Sequence, residues 1–327
     1  MIYIQSNARQ AADNFALEYW LTKKGFDDLT FLLWTTTPTI MLGKFQDALA
    51  EVNLAYADQH DITVSRRLSG GGTIFTDRGS FQYSFIKPSA KQIIDFNRFL
   101  SIIGRALKEM GLPVEQSSRN DLILKGRKFS GNAQYNCNGY VVHHGSLLFD
   151  SNLNAMTAAL HVDPVKLKAK RISSVHQRVL NIRNFRSDLT REQFAAQLKQ
   201  AVFQQASKVR EYHLTVSDRA EIRVIKDRLF ANPDFIYGKT PPTTITKERY
   251  FVGGGLVKLA LAVEHGYLKQ IHITGDFFSN LDVQALESAL TGTLFQPQAI
   301  RPILNRRLQK TPIQNIDPNQ LLDLLFA

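Results

Sequence analysis

The spacing of hydrophobic residues in the first third of the chain predicts a mixture of helices and strands. Ala12, Phe15, Ala16 and Tyr19 recur at helical intervals, and Gly25 stands where such a helix would end. Apolar runs typical of strands follow in LTFLLW, TIMLG, ITVSRRL and QYSFI. A helical stretch, AEVNLAYADQH, separates the second run from the third.

An amphipathic helix and a sheet meander are predicted next. Phe99, Ile102, Ile103, Ala106 and Met110 share one helical face, and the GLP sequence that follows stops the helix. Within residues 121–149, DLIL turns at a Lys-Gly pair into RKFSG, and NCNG turns into YVVHHGSLLF. These turn-forming pairs between apolar runs indicate successive hairpins.

The C-terminal part is predicted to contain two more helices and then a separate small unit. The helices are expected near residues 190–208, where Thr190 and Gln193 match a capping box, and over 217–230. The turn-rich segment NPDFIYGKTPP is interpreted as a linker. Beyond it, LVKLALAVEHGYLKQIHITGDFF predicts two strands around a glycine turn, and LDVQALESALTG predicts a helix.

Length and composition are consistent with two domains and a cytoplasmic setting. The 327 residues, 44% of them hydrophobic, are predicted to divide into a domain over residues 1–240 and a smaller α+β domain over 246–327. No run approaches the ~20 apolar residues that a membrane span needs, and MIYIQSNARQAADNF lacks the pattern of a signal peptide. Cys137 is the single cysteine, so no intrachain disulfide or CxxC pair can form. A reducing cytoplasm fits best, and no membrane partner is expected.

The net charge of +11, from 40 Lys and Arg against 29 Asp and Glu, favours an anionic partner. Nucleic acid, a nucleotide and an acidic protein all meet that description. The basic residues are spread along the chain, and no helix-turn-helix segment precedes the strand-like MIYIQ, so nucleic acid is not expected.

The sequence RRLSGGGTIF places three consecutive glycines after a predicted strand. We call residues 70–72 the glycine triplet. Glycine is costly to order, so the triplet indicates that something approaches this backbone closely. Arg66 and Arg67 alternate faces of the strand, so one of them is expected to lean over the glycines, where exposed N–H groups beside a guanidinium can bind a phosphate. The alternative, that both arginines are solvated strand residues, fits the sequence equally well.

A second cluster, RNDLILKGRKFSGNAQ, covers residues 119–134. Lys128 stands two residues before the small pair Ser130 and Gly131, so its ammonium group can reach over backbone that carries little side-chain bulk. A lysine in such a position is usually a solvated surface residue. Beside the glycine triplet it becomes a candidate for binding the same anion.

These two clusters, followed by HHGSLLFD and SSVHQRVLNI, occur in the order found in lipoate–protein ligase A, and the chain resembles that family over nearly its full length. The FIYGKTP junction and the GDFF hairpin resemble the family's accessory domain. The resemblance implies an α+β fold of the biotin/lipoate ligase type, a mixed sheet flanked by helices. Residues 1–240 would then be the catalytic domain, and 246–327 the accessory domain.

The activity implied by the resemblance is that of an ATP-dependent lipoate–protein ligase. Lipoate and ATP, with Mg²⁺, would give lipoyl-AMP and pyrophosphate. The lipoyl group would then pass to one lysine of an acceptor, either an acyltransferase domain of a 2-oxoacid dehydrogenase or a glycine-cleavage H-type protein. Attack of a carboxylate on a phosphate brings two anions together, so the site needs cations.

The positions that match the family's motifs imply the site residues. Lys128 is the expected catalytic residue, and Arg67 and Lys128 are expected to contact nucleotide and acyl-adenylate. The ligand would lie along a backbone strip made of Gly70, Gly71, Gly72, Thr73, Ile74 and Phe75. A supporting set comprises Ser69, Asp77, Asp121, Ser130, Gly131 and His144. The resemblance selects His144 over His143, its neighbour on the opposite face of the strand.

Three positions depart from the family's usual pattern and leave other interpretations open. Thr76 stands for a histidine, Ser80 for an asparagine and Tyr135 for an arginine. One alternative is an octanoyl or lipoyl transferase of the same fold, which would use Cys137 as a thioester nucleophile without ATP. Another is a non-catalytic binder of lipoyl domains or nucleic acid.

The intact arginine, glycine triplet and lysine, together with the accessory domain, favour the ligase. The acceptor is expected to be acidic because this chain is basic, and the protein is expected to act as a monomer.

Overall fold

The structure is a computed structural model that describes residues 1–89, 93–116, 120–160, 179–237, 245–264, 266–295 and 297–326. The strands are β1 (Ile2–Gln5), β2 (Thr30–Trp34), β3 (Thr39–Leu42), β4 (Thr63–Arg66), β5 (Ile74–Thr76), β6 (Ser80–Pro88), β7 (Glu115–Gln116), β8 (Asp121–Leu124), β9 (Arg127–Cys137), β10 (Tyr140–Leu148), β11 (Arg210–Glu211), β12 (Ile245–Phe251), β13 (Gly255–Glu264) and β14 (Tyr267–Gly275). The helices are α1 (Ala11–Lys24), α2 (Ala48–Glu51), α3 (Leu54–Gln59), α4 (Asn97–Glu109), α5 (Leu153–Ala159), α6 (Arg191–Phe203), α7 (Val216–Ile225), α8 (Pro233–Tyr237), α9 (Val283–Leu290), α10 (Pro297–Lys310) and α11 (Pro318–Phe326).

An eight-stranded mixed sheet forms the centre of the larger domain, in the order β11-β1-β2-β6-β10-β9-β8-β7. The β1 strand pairs in parallel with β2 and β11, and the remaining neighbours are antiparallel. Alternate residues enter different cores: Phe31 packs with α4 and α6, whereas Leu32 packs with α1 and α7. The predicted mixed sheet flanked by helices is thus confirmed.

The predicted meander is confirmed as β8, β9 and β10. Its two turns carry positive φ angles at both central residues, 46° and 73° at Lys125 and Gly126, and 50° and 78° at Asn138 and Gly139. This is the geometry that two-residue hairpins prefer, because its twist matches the twist of the strands.

Local chemistry also explains several helix ends. The Thr190–Gln193 capping box is present at the start of α6, and Gly25 ends α1 with φ 78°. The helix expected in AEVNLAYADQH is instead divided into α2 and α3, because Asn53 starts a new helix by accepting a hydrogen bond from the Tyr56 N–H group.

A small sheet beside the main one holds the glycine triplet. Its order is β4-β3-β5, with β3 parallel to β4 and antiparallel to β5. The triplet lies in the connection from β4 to β5, so it runs from one edge of this sheet to the other. A core of its own, with α2, α3 and α5 around Ile40 and Leu42, holds the small sheet in place.

The C-terminal part contains a three-stranded antiparallel sheet, β12-β13-β14, covered by α9, α10 and α11 around a separate hydrophobic core. The predicted strand pair and the helix α9 are present, whereas β12, α10 and α11 were not predicted. The linker interpretation of NPDFIYGKTPP is wrong for Pro233–Tyr237, which form α8. Residues 238–242 of that junction, like residues 173–178 of SSVHQRVLNI, lie outside the described part of the chain.

Candidate active site

Arg67 braces the loop that carries the glycine triplet. Its guanidinium donates to the carbonyl oxygens of Gly70 (3.0 Å), Gly72 (2.7 Å) and Met41 (2.9 Å), and its Nε donates to Ser69 Oγ (3.1 Å). Burial lowers the pKa of Arg67 to about 10, so the group is still charged at neutral pH. The prediction that one arginine leans over the glycines is correct, and this side chain is buried rather than solvated.

Arg66 is buried as well, on the other side of β4. It donates to the carbonyl oxygens of Gly43 (2.8 Å), Gln46 (2.7 Å) and Ile236 (2.8 Å). Arg66 therefore ties the start of the loop to α8, and the interpretation of both arginines as solvated residues is wrong.

The glycine triplet lies against the C-terminal domain. A Cβ atom at Gly70 would come within 2.3 Å of the Phe277 carbonyl oxygen, and one at Gly71 within 2.6 Å of the Phe278 ring. Gly71 also has φ +91° and donates its N–H to Phe277 O at 3.1 Å. At Gly72 the nearest atom is Asp276 Oδ2, at 3.7 Å from an ideal Cβ. The first two glycines are thus required by the protein's own backbone, and Gly72 has more space.

Aromatic rings continue this contact between the domains. Phe277 stacks on Phe45 at 4.6 Å between ring centroids, and Phe278 meets Phe96 edge-on at 5.2 Å. The Gly275 N–H donates to Phe45 O at 2.8 Å. The GDFF segment, in which Gly275 ends β14 and the next three residues follow it, therefore forms one wall beside the glycine triplet.

A β-bulge turns Lys128 toward the same face as the site. Leu122 pairs with Ser130 and Ile123 with Lys128, so that Phe129 is the extra residue in β9. In an unbroken strand, residues 128 and 131 point to opposite faces. Because of the bulge, Lys128 crosses Gly131, with Nζ 2.8 Å from the place of a Cβ atom there.

Lys128 is held by an ion pair. Its Nζ lies 2.7 Å from Asp121 Oδ1, and both side chains are partly exposed, at 24% and 18%. Behind them, Ser130 is buried and its Oγ accepts a hydrogen bond from Asn132. The structure therefore brings Asp121, Ser130 and Gly131 around Lys128, as the sequence predicts.

His144 connects this sheet to the glycine triplet. Its Nε2 lies 2.6 Å from Ser69 Oγ, and its Nδ1 lies 3.0 Å from Glu18 Oε2. Two residues along β10, Ser146 contacts the backbone of Gly131, over which Lys128 lies. His144, Ser146 and Gly131 thus share one face of the sheet and join the two predicted clusters.

His143 faces the opposite side, as the alternation of a strand requires. Its ring stacks on Phe99 at 4.9 Å and meets Phe96 edge-on at 6.0 Å. Burial, and secondarily His144, hold the pKa of His143 well below its ordinary value. His143 is therefore a neutral core residue.

The remaining residues of the predicted backbone strip, residues 73–75, lie just before β5 and within it, at the edge of the small sheet. Thr73 donates to Gln46 Oε1 at 2.7 Å, Ile74 is half-buried and Phe75 is buried in the small core. An edge strand leaves one side of its backbone outside the sheet's own pairing.

Asp77 lies just after this strip and fixes a turn. Its Oδ1 accepts from Ser151 Oγ at 2.6 Å and from the Gly79 N–H at 2.9 Å, and its Oδ2 accepts from the Asn152 N–H at 2.8 Å. These contacts anchor the β5–β6 turn to the start of α5.

Comparison with known proteins identifies the family. The lipoyl protein ligase A/B catalytic domain model matches residues 10–203, and the bacterial lipoate protein ligase C-terminus model matches residues 240–325. The chain belongs to the lipoate–protein ligase family. Lipoate-protein ligase LplJ of Bacillus subtilis is 34% identical over 333 residues, which cover 100% of both chains. The protein is thus an enzyme, a lipoate–protein ligase.

Solved structures of lipoate–protein ligases share this fold. The crystal structure of P. falciparum LipL1 in complex with lipoate has a TM-score of 0.79 and 21% identity, and the match covers 98% of this chain and 97% of that chain. Lipoate-protein ligase A bound with ATP has a TM-score of 0.62 and 20% identity, over 73% of this chain and 99% of that chain.

The three departures from the family's usual pattern are all buried. The Thr76 hydroxyl is hydrogen-bonded to that of Thr36 at 2.8 Å, and Ser80 Oγ donates to Asp77 O at 3.0 Å. Tyr135 packs beside His144, and burial together with the negative charge of Glu18 raises its pKa well above the ordinary value. All three side chains therefore pack inside the protein.

Cys137 has neither the position nor the chemistry of a transferase nucleophile. It ends β9, nine residues beyond Lys128, a distance of about 30 Å along a strand that rises ~3.3 Å per residue. Burial raises the pKa of its thiol, so the reactive thiolate is disfavoured at neutral pH.

Glu18 is the residue of this region that the sequence analysis missed. It lies on α1, remote in sequence from every motif. The sequence gives one sign of it: an acidic residue stands on a helical face that is otherwise mainly hydrophobic.

Among the described residues, no group of three or more His, Cys, Asp or Glu side chains could hold a metal ion. Within the same residues, no helix is both long and apolar enough to cross a membrane.

Proposed function

We propose that this lipoate–protein ligase activates lipoate with ATP to form lipoyl-AMP and then acylates one lysine of an acceptor protein. The observation that carries the proposal is Lys128, which the bulge at Phe129 turns across Gly131 onto the face that carries His144. A cation held at this place is what the attack of one anion on another requires. The relatives whose structures contain lipoate and ATP share this fold.

In the first step, a lipoate carboxylate oxygen attacks the α-phosphorus of ATP. A new O–P bond forms, the bond to the bridging oxygen between the α- and β-phosphates breaks, and pyrophosphate leaves. Lys128 would stabilise the negative charge that accumulates on the α-phosphoryl oxygens, and Asp121 at 2.7 Å would orient its ammonium group beforehand. In the second step, an acceptor lysine attacks the acyl carbon, and AMP leaves.

The nucleotide and the acyl-adenylate would lie along Gly72 and the edge strand β5, where the backbone is approachable. Arg67 already donates to Gly70, Gly72, Ser69 and Met41. Its proposed role is therefore to hold the loop in shape and to add positive charge beneath it, whereas Lys128 contacts the phosphate directly.

Mg²⁺ would enter with the phosphates of ATP. This ion commonly keeps several waters and takes only one or two protein carboxylates. Asp121 beside Lys128 and Asp276 beside Gly72 are carboxylates at the site that would lie near it. When bound, the ion would neutralise phosphate charge.

The domain assignment and the acceptor belong to the same proposal. Residues 1–240 would form the catalytic domain and residues 246–327 the accessory domain, and the matches at 10–203 and 240–325 support this division. The net charge of +11 supports an acidic acceptor protein, such as a lipoyl domain or an H-type protein.

The decisive experiment is ATP–pyrophosphate exchange driven by added lipoate, measured without acceptor protein. We expect exchange that depends on lipoate, because reversible adenylation returns labelled pyrophosphate to ATP. Exchange that lipoate does not stimulate would refute the adenylation step. Acyl transfer between carrier proteins without ATP would instead establish the transferase.

A further inference from the structure

Glu18 presents a carboxylate that the proposed reaction does not use, in a place where a charge is costly. It is 1% exposed, although it lies on α1, whose other buried residues are mainly hydrophobic. A buried carboxylate must be compensated by donors, or it destabilises the fold. The contacts of Glu18 therefore identify the groups that compensate its charge.

The donors to Glu18 come from the central sheet. Ser84 Oγ donates to Oε1 at 2.5 Å and itself accepts from Trp34 Nε1 at 2.9 Å. The His144 Nδ1 atom lies 3.1 Å from Oε1 and 3.0 Å from Oε2. These two contacts favour the tautomer in which Nδ1–H donates and the Glu18 carboxylate accepts.

The other side of His144 faces the loop. In the tautomer that carries its hydrogen on Nδ1, the Nε2 atom accepts, and Ser69 Oγ donates to it at 2.6 Å. Ser69 Oγ in turn accepts from Arg67 Nε at 3.1 Å, and Arg67 holds the carbonyl groups of the glycine triplet. The links from Glu18 through His144 and Ser69 to Arg67 are buried, and the last contact, to the Gly72 carbonyl, is partly buried.

We propose that Glu18 is a positioning residue for adenylation. Its carboxylate fixes the tautomer of His144, and through Ser69 it fixes the orientation of Arg67 and of the glycine triplet. This inference rests on the proposed function. Its physical basis is that a buried, charge-assisted chain of hydrogen bonds has one low-energy arrangement, so the loop is ordered before the ligand binds.

The test compares Glu18→Gln with a matched control. The glutamine keeps the volume but removes the charge, and its amide nitrogen must face either Nδ1–H or Ser84. Asp218→Asn is the control, because Asp218 is also a buried carboxylate bonded to α1, through Lys24 at 3.1 Å, and lies at the N-terminus of α7. Both variants lose a buried charge, but only Glu18→Gln breaks the chain to the loop.

We expect Glu18→Gln to lower kcat/KM for lipoate in the exchange reaction ~10-fold or more, because a charged hydrogen bond is lost from the chain. Asp218→Asn should keep the wild-type value at a temperature where both variants are folded. The ¹⁵N spectrum of the His144 ring should show Nε2 unprotonated in the wild type and partly protonated in Glu18→Gln. Ser69→Ala, which breaks the chain at its other end, should reproduce the kinetic loss.

Wild-type exchange in folded Glu18→Gln, or an equal loss in Asp218→Asn, would overturn the inference. If Glu18→Gln fails to fold, Ser69→Ala provides the test. A lower kcat/KM for lipoate in Ser69→Ala would support the hydrogen-bond chain, and a wild-type value would refute it. Failure of the proposed function is distinguishable, since the wild type itself would then show no exchange. In that case the ¹⁵N spectrum of wild-type His144 would still test whether Glu18 fixes the tautomer of this ring.

Discussion

Lys128 lies directly over Gly131, with its Nζ 2.8 Å and its Cε 3.0 Å from the position that a Cβ atom at residue 131 would occupy. The lysine can take this path because residue 131 lacks a side chain and because the bulge at Phe129 turns residue 128 to that face. The geometry makes the glycine as necessary to the site as the lysine that it accommodates.

Gly131→Ala should therefore inactivate adenylation without unfolding the protein. The new methyl group meets the flexible end of Lys128, which moves aside at little cost, but a displacement of about 1 Å at a reacting group costs ~10²-fold in rate. Thermal unfolding and lipoate-dependent exchange would be measured together. The matched control is Gly104→Ala on α4, where a Cβ atom meets nothing within 4 Å, and it should retain full activity. Wild-type exchange in Gly131→Ala would contradict the assigned path of Lys128.

Lys128→Ala should abolish lipoate-dependent exchange, with a loss of ~10²–10³-fold or more, since it removes the cation that meets the phosphoryl charge. The fold should remain intact because Lys128 is partly exposed and contributes little packing. Lys108→Ala, at an exposed position of α4, removes the same charge elsewhere and serves as the control. A folded Lys128→Ala protein with normal exchange would remove the basis of the proposed function.

Cys137→Ser should leave ATP-dependent lipoylation nearly unchanged. The thiol lies about 30 Å along β9 from Lys128, at ~3.3 Å per residue, and burial raises its pKa, so it is unsuited to attack an acyl group. The measurement is acceptor lipoylation with ATP present, together with a search for an acyl-thioester by mass spectrometry. A loss of more than roughly tenfold, or a trapped thioester at Cys137, would favour the transferase.

Gly71→Ala should destabilise the contact between the two domains. The substitution combines a φ of +91° with a methyl group 2.6 Å from the Phe278 ring, and the strained φ alone costs about 1 kcal/mol. Gly292→Ala has a similar φ of +81° but meets nothing within 4 Å, so it measures the backbone strain by itself. We expect a larger drop in Tm for Gly71→Ala, and equal drops would show that the packing against Phe278 contributes nothing.

Salt should weaken the encounter with the acceptor more than it weakens adenylation. The chain carries +11, and long-range attraction to an acidic protein is screened as the Debye length falls to a few Å near ~0.5 M salt. We expect kcat/KM for acceptor protein to fall well beyond the change in the exchange reaction over this range. An equal response of both reactions would indicate that the charge serves only solubility, and would leave the adenylation proposal in place.

Much of the fold was predictable because it depends on short-range chemistry. The hairpin turn at Asn138 follows from a residue that tolerates positive φ before a glycine, and the Thr190 capping box follows from a three-residue spacing. The alternation that separates His143 from His144 is a property of any strand. Such features involve neighbours in sequence, so they can be predicted without knowledge of the fold.

The partners of the site residues could not be predicted in this way, because they come from distant parts of the chain. Glu18 meets His144 across 126 positions of sequence, and Gly71 meets the carbonyl of Phe277 in the other domain. The bulge at Phe129 depends on how β8 and β9 align, and no residue of β9 predicts it. The glycine triplet indicated that some group approaches this backbone closely. Which group it is depends on how the two hydrophobic cores pack against each other. Periodicity specifies which way a side chain points along its own element, whereas the groups that it meets depend on how distant elements pack to bury their apolar faces.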